Sequence, residues 1–140
     1  MATLQRFEDV DAWKLSRKIA KLIYQYSGQG KFGKDYCLRD QIRRAAISVM
    51  SNIAEGFERG GNKEFIQFLS IAKGSTAEIE SQLYIALDND YISHAQFHEL
   101  IHSTHSIKSL IAGFIRYLKK TDLKGNKFKN LKPRTQNLEP

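Results

Sequence analysis

Apolar residues recur along this chain in steps of three and four. Leu15, Ile19, Leu22 and Tyr26 form one ridge, with Trp13, Ala20 and Ile23 beside it. Leu38, Ile42, Ala45, Val49 and Ile53 form a second. Phe65, Phe68, Leu69, Ala72, Ile79, Leu83 and Ala86 form a third, and Phe97, Leu100, Ile101, Ile107, Leu110, Ile111, Phe114, Ile115 and Leu118 a fourth. Such spacing puts each set on one face of an α-helix. No segment shows the sustained alternation of β-branched residues that marks a strand. Both prolines, Pro133 and Pro140, lie near the C-terminus, so nothing upstream forces a helix to break.

The first predicted helix runs from about Val10 to Tyr26 and is broken by Ser27–Gly33, which contains three glycines. The second runs from about Asp35 to Glu58 and stops at Gly60-Gly61. Asn62 is the expected N-cap of the third, which ends near Asn89-Asp90. Ser93 opens the fourth, and Gln96 three residues later completes a capping box. Short loops between long amphipathic helices make neighbours antiparallel. The predicted fold is therefore all-α, an antiparallel up-down-up-down four-helix bundle over residues 1–120. From Thr121 the pattern collapses, and residues 121–140 are expected to form a basic, flexible tail.

The length of 140 residues suffices for one domain with a core that needs no metal or disulfide staple. A net charge of +7 and a pI near 9.5 point toward polyanionic partners, although part of the excess lies in the tail. Cys37 is the sole cysteine, which excludes an intrachain disulfide and suits a reducing compartment. No apolar run approaches the roughly 18–20 residues that span a bilayer. Met1–Arg6 lacks a secretory-signal pattern, so a cytoplasmic protein is expected.

A second, polar stripe runs along the second helix: Gln41, Arg44, Ser48, Asn52 and Glu55. Its mate on the third helix is Gln67, Ser70, Gly74, Ser75, Glu78 and Gln82. Gly74 sits mid-helix, where it costs about 1 kcal/mol relative to Ala, and close approach of another backbone is the usual reason. The expectation is a close-packed polar seam, inside the bundle or between subunits, in which Arg43 or Arg44 pairs with Glu55 or Glu78. The bland alternative is a solvated face.

Basic residues form three groups. Lys14, Arg17, Lys18 and Lys21 lie along the first helix; Lys31, Lys34, Arg39, Arg43 and Arg44 surround the start of the second; Lys119, Lys120 and Lys124 follow the fourth into the tail. Several cations on one surface are what phosphate binding requires. Phe32, Tyr36 and Phe128 are interleaved with them and offer rings for stacking on unpaired bases. Solvation of a bundle's outside is the competing explanation for the same charges.

His94, His98, His102 and His105 share an arc of about 80° on the fourth helix, and pairs at four-residue spacing can chelate a metal. The arc points away from the core stripe, Glu99 lies off it, and no third-helix residue is evidently placed as a partner. No metal and no cofactor is expected. Cys37 has cationic neighbours in Lys34 and Arg39 but no local nucleophile signature. Gly-rich phosphate loops, HExxH and paired ExxH motifs are absent from the sequence, so no catalytic residue is assigned and no enzymatic activity is expected.

Four motifs together resemble a known family. These are Trp13; Gln41-x-Arg43-Arg44-Ala45-x-x-Ser48; Asn52-Ile53-Ala54-Glu55-Gly56; and Phe65-x-x-Phe68-Leu69-x-x-Ala72-x-Gly74-Ser75-x-x-Glu78. They are similar to the bacterial four-helix bundle proteins named for intervening sequences of large-subunit ribosomal RNA genes and, more distantly, to accessory proteins of diversity-generating retroelements. The resemblance covers roughly residues 7–118. It implies a homopentameric ring, and in the retroelement relatives a partnership with nucleic acid and a reverse transcriptase. It carries no catalytic residues. The expected function is a non-enzymatic homo-oligomer that binds RNA or DNA through a composite basic surface, with Lys31, Lys34 and Arg39 as favoured contacts. A protein-interaction adaptor is the alternative.

Overall fold

The computed structural model describes residues 4–123. One turn of 3-10 helix, Phe7–Asp9, leads into α1 (Asp11–Ser27), a short α2 (Gly30–Lys34), α3 (Tyr36–Arg59), α4 (Asn62–Asp88) and α5 (His94–Leu123). The described residues contain no strand. Four long helices make the bundle, in the ring order α1, α3, α4, α5. Contacts between opposite ends fix their directions. Arg43 near the start of α3 bonds Ser27 at the end of α1, Asn62 at the start of α4 bonds Leu118 near the end of α5, and Tyr26 of α1 bonds Glu99 of α5. Each long helix is thus antiparallel to its neighbours, as the short loops require.

Local chemistry sets the helix ends. The Asp35 carboxylate caps α3 by accepting from the Leu38 amide at 3.0 Å. Ser93 and Gln96 exchange side-chain and amide bonds of 2.9 and 3.0 Å at the start of α5, the reciprocal pattern of a capping box. Gly60 closes α3 at φ +83°, a conformation that favours glycine.

Three local expectations are corrected. The glycine-rich break after α1 contains helix α2, because Phe32 anchors it in the core and stacks on Tyr91 from the α4–α5 loop at 5.3 Å. Asn62 is not the N-cap of α4; Gly61 is. Buried Asn62 instead donates to the Leu118 carbonyl at 2.9 Å and the Thr121 hydroxyl at 3.0 Å. That tether carries α5 past Thr121 to Leu123, where the periodicity alone ends the bundle earlier. The tail beyond, including Lys124 and Phe128, lies outside the described residues. On α5, Leu110 is partly exposed and the fully buried Thr104 takes an inward position that a hydropathy pattern reads as polar.

Every ridge anticipated from spacing contributes to one core. Ile53, Phe65, Leu69, Ala72, Ala86, Ile111 and Leu118 are wholly buried. Each large side chain so buried stabilises the fold by about 1.5–3 kcal/mol. Phe65 is edge-on to both Phe57 and Phe114, with centroids 5.9 and 5.1 Å away, and welds α3, α4 and α5.

Asp35 also accepts from the Tyr91 hydroxyl at 2.9 Å, which joins the α3 cap to the α4–α5 loop. The Leu38 amide, and then the Tyr91 hydroxyl, hold its carboxyl below the usual carboxylate range. The same bond, with some burial, raises the Tyr91 phenol. A depressed carboxyl stabilises the fold above its unfolded pKa of about 3.9 and loses that contribution as pH falls through the lower folded value. A raised phenol stabilises below about 10 and loses its contribution as pH rises through the higher folded value. Thermal melts across pH should therefore show Asp35→Asn less stable than the parent near neutrality and converging with it in acid. Tyr91→Phe should approach the parent both in acid, where Asp35 loses its charge, and in alkali, where the Tyr91 phenol ionises. Differences constant with pH would contradict the assignment.

Candidate nucleic-acid interface

Helix α1 turns two faces outward from its buried stripe. Lys14, Arg17, Lys18 and Lys21 are exposed, as are Lys31 and Lys34 on α2 and Lys119 and Lys120 near the end of α5. The α1 cations border an open groove of about 870 Å³. Trp13, Ala20 and Tyr24 of α1 and Met50 of α3 supply its apolar lining, and Glu8 is the one acid in it. Phe7 packs edge-on against Trp13, with centroids 5.2 Å apart. The Arg17 guanidinium lies 5.9 Å from the Trp13 ring centre. Lys14 comes within 3.9 Å of Asp11, an exposed pair too solvated to neutralise it.

Several candidate residues are committed elsewhere. Arg39 is only 28% exposed at its side chain; it pairs with Asp40 at 3.0 Å, donates to the Gly33 carbonyl and lies over Tyr36 at 4.7 Å. Arg43 donates to Ser27 Oγ at 2.8 Å and the Tyr24 carbonyl at 3.2 Å, and covers the Tyr24 ring at 4.5 Å. It is a cation on the C-terminal end of α1, where the helix dipole favours positive charge. Phe32 is 2% exposed and has no face to offer a base, whereas Tyr36 is 64% exposed. The rings that line the groove with the α1 cations are Trp13, expected beside the first core ridge, and Tyr24, which the sequence reading does not single out.

The polar stripes of α3 and α4 do meet. Ser48 and Ser75 hydroxyls are 2.8 Å apart, and the Asn52 amide donates to both the Ser48 carbonyl at 2.8 Å and its hydroxyl at 3.0 Å. The expected ion pairs are not formed. Glu55 pairs with Arg59 one turn on, Glu78 accepts from Gln82, and Arg43 turns to α1. Gln41 and Arg44 are exposed. Gly74 is exposed too, and a Cβ added there meets nothing within 4 Å, so no helix of this chain requires it. The glycine of close approach is Gly56, whose added Cβ would lie 2.6 Å from Phe68 Cβ and 2.9 Å from Phe65 Cδ1.

All four histidines of α5 are exposed. The expectation that no α4 residue meets their arc fails at Glu80, which is 13% exposed at its side chain. It takes Lys108 Nζ at 2.7 Å, the Thr104 hydroxyl at 2.7 Å and His105 Nε2 at 3.4 Å. Among the described residues no group of three or more His, Cys, Asp or Glu is arranged to hold a metal ion. Cys37 is a free, exposed thiol in the first turn of α3. No helix among the described residues is long and apolar enough to cross a membrane.

Comparison with known proteins agrees with this architecture. No curated protein matches the chain. A crystal structure at 1.70 Å of a protein of unknown function from the S23 ribosomal protein family of Bacteroides thetaiotaomicron is similar, with a TM-score of 0.68 and 24% sequence identity. The match covers 74% of this chain and 97% of that one, and at this identity it speaks for the fold. The family model described as 23S rRNA-intervening sequence protein matches residues 8–113, most of the bundle. The chain belongs to the 23S rRNA-intervening sequence protein family.

Proposed function

We propose that this protein is a non-enzymatic, homo-oligomeric helical bundle that binds RNA or DNA through exposed cations. The observation that carries the reading is the α1 surface, where Lys14, Arg17, Lys18 and Lys21 are all free to face a polyanion beside exposed Lys31 and Lys34. The self-association part rests on the outer face of α3 and α4. There Ile71 is 51% and Ile85 47% exposed, Gly74 opens on empty space, and Arg44 has no partner among the described residues. A second copy approaching Gly74 would give that glycine its reason and Arg44 an acid to pair with, Glu78. A ring of five is what the resemblance implies, and it would repeat the α1 cations around one assembly.

The test is equilibrium binding of a structured RNA at rising salt. With about four phosphates neutralised per site, affinity should fall roughly fifty- to a hundredfold or somewhat more between 50 and 200 mM salt. No binding at low salt, or binding indifferent to salt, would sink the nucleic-acid reading. Specific recovery of one protein partner from nuclease-treated lysate would then favour the adaptor. Light scattering that returns the 16.1 kDa monomer mass would refute self-association.

A further inference from the structure

We infer that the α1–α3 groove is a single-strand nucleic-acid site: unpaired bases stack on the Trp13–Tyr24 floor while their phosphates lie along Lys14, Lys18 and Lys21. This rests on the nucleic-acid reading above and assigns it a place and a strand type.

Charge density supplies the first argument. Lys14, Arg17, Lys18 and Lys21 put four cations on seven residue steps, about 10.5 Å of helix axis, or one charge per ~3.5 Å. A nucleic-acid strand carries one phosphate per ~3.4 Å of axis in B-form. The rim therefore carries positive charge at about the density at which a strand carries phosphates.

The floor supplies the second. A basic surface built only to hold a duplex backbone needs no aromatic lining, since the duplex keeps its bases stacked inside. Here two rings and Met50 lie between the cations. Both rings are held before any ligand arrives: Phe7 braces Trp13 at its edge, and Arg43, tied to Ser27, covers Tyr24. A ring with a fixed orientation loses little entropy when a base settles on it. Each such stack contributes enough to change affinity by about five- to a hundredfold, whatever the base. Arg17, 5.9 Å from the Trp13 ring centre, has a planar guanidinium that can extend the stack.

Position supplies the third. The groove uses the side of α3 that carries Arg43 and Met50 toward α1, whereas Ser48 and Asn52 face α4. A nucleic-acid site here leaves the α3–α4 outer face open for a second copy.

Trp13 is the sole tryptophan, so its fluorescence reports this groove in the full chain without a label. The probes are an unstructured oligouridylate of about twelve nucleotides and an RNA duplex of the same length. The single strand should quench Trp13 saturably and bind at least about tenfold more tightly than the duplex. Lys18→Glu with Lys21→Glu should weaken single-strand binding by about tenfold or more. Trp13→Phe, which keeps a ring against Phe7, should weaken it about fivefold in a labelled-oligonucleotide assay, with the helical circular dichroism unchanged. Single-strand binding without quenching, and indifferent to the charge reversal, would move the site elsewhere and leave the general nucleic-acid reading intact. Equal quenching by the duplex would overturn the single-strand assignment. A change of light-scattering mass in the charge-reversed variant would reassign the groove to a subunit contact. An acidic helical peptide that quenches Trp13 when neither RNA does would assign it to a protein. Absence of any binding at low salt would remove both readings.

Discussion

An alanine at Gly56 is expected to destabilise the bundle by about 1–3 kcal/mol, although alanine is the better helix former by about 1 kcal/mol. The added methyl would lie 2.6 Å from Phe68 Cβ and 2.9 Å from Phe65 Cδ1. Phe68 Cβ is fixed to the α4 backbone, so relief requires α3 and α4 to separate. Phe65 is wholly buried between Phe57 and Phe114 and has no room to yield. Gly56→Leu should be worse and leave little folded protein. Gly74→Ala provides the control. Its methyl meets nothing, so helix propensity alone acts and the monomer should gain up to about 1 kcal/mol. Chemical denaturation of the two alanine variants decides the matter, and equal effects of like sign would contradict the packing described. Gly74→Arg should leave the helical content intact and lower the light-scattering mass if α4 meets a second copy at this point. An unchanged mass would place the subunit contact elsewhere.

These two glycines also show where sequence reading reached its limit. Four long helices, their directions and most of the core were legible, because a three-four spacing sustained over seven turns has one geometric solution. The Ser93–Gln96 cap was legible for the same local reason. Gly74 and Gly56 were not distinguishable, since a helical period assigns a residue to a face without saying how near the facing helix comes. Asn62 had the right residue type for a cap and sat one position too late; its amide found a carbonyl on α5, a partner 56 residues away that no local rule supplies. The basic residues of α1 were visible as a cluster. The groove between them was not, because its far wall, Met50, comes from α3. Trp13 looked like core and does pack against it in part, whereas Tyr24, 42% exposed, carried no signal of a role. Arg43 was legible as a structural cation, but as a member of the α3–α4 seam paired with Glu55 or Glu78. That its partner would be Ser27 followed only from the α1–α3 turn.

Removing the Glu80 carboxylate is the second large effect, and the four histidines of α5 make it informative. Glu80→Ala should lower stability by about 2–3 kcal/mol. One nearly buried carboxylate accepts from the wholly buried Thr104 hydroxyl and from Lys108, both at 2.7 Å, with His105 at 3.4 Å. Thr104 can turn its one hydroxyl hydrogen to the Ile101 carbonyl 3.0 Å away, which limits the loss on that side. Lys108 retains nothing comparable; its side chain is 31% exposed and must reach toward water along its aliphatic stem. The greater part of the effect should therefore come from the lysine, an unpaired charge at the edge of the core. Lys108→Met alone should be milder than Glu80→Ala, since Glu80 keeps Thr104. Glu80→Ala combined with Lys108→Met should cost clearly less than the two single losses added, because neither charge is then stranded. A double-mutant cycle measured by urea denaturation tests this directly: a coupling energy near zero would show that the two side chains do not act as a pair. Glu80 would then join α4 to α5 through Thr104, and Lys108 would be a solvated cation rather than part of the tie that sets the register of α5.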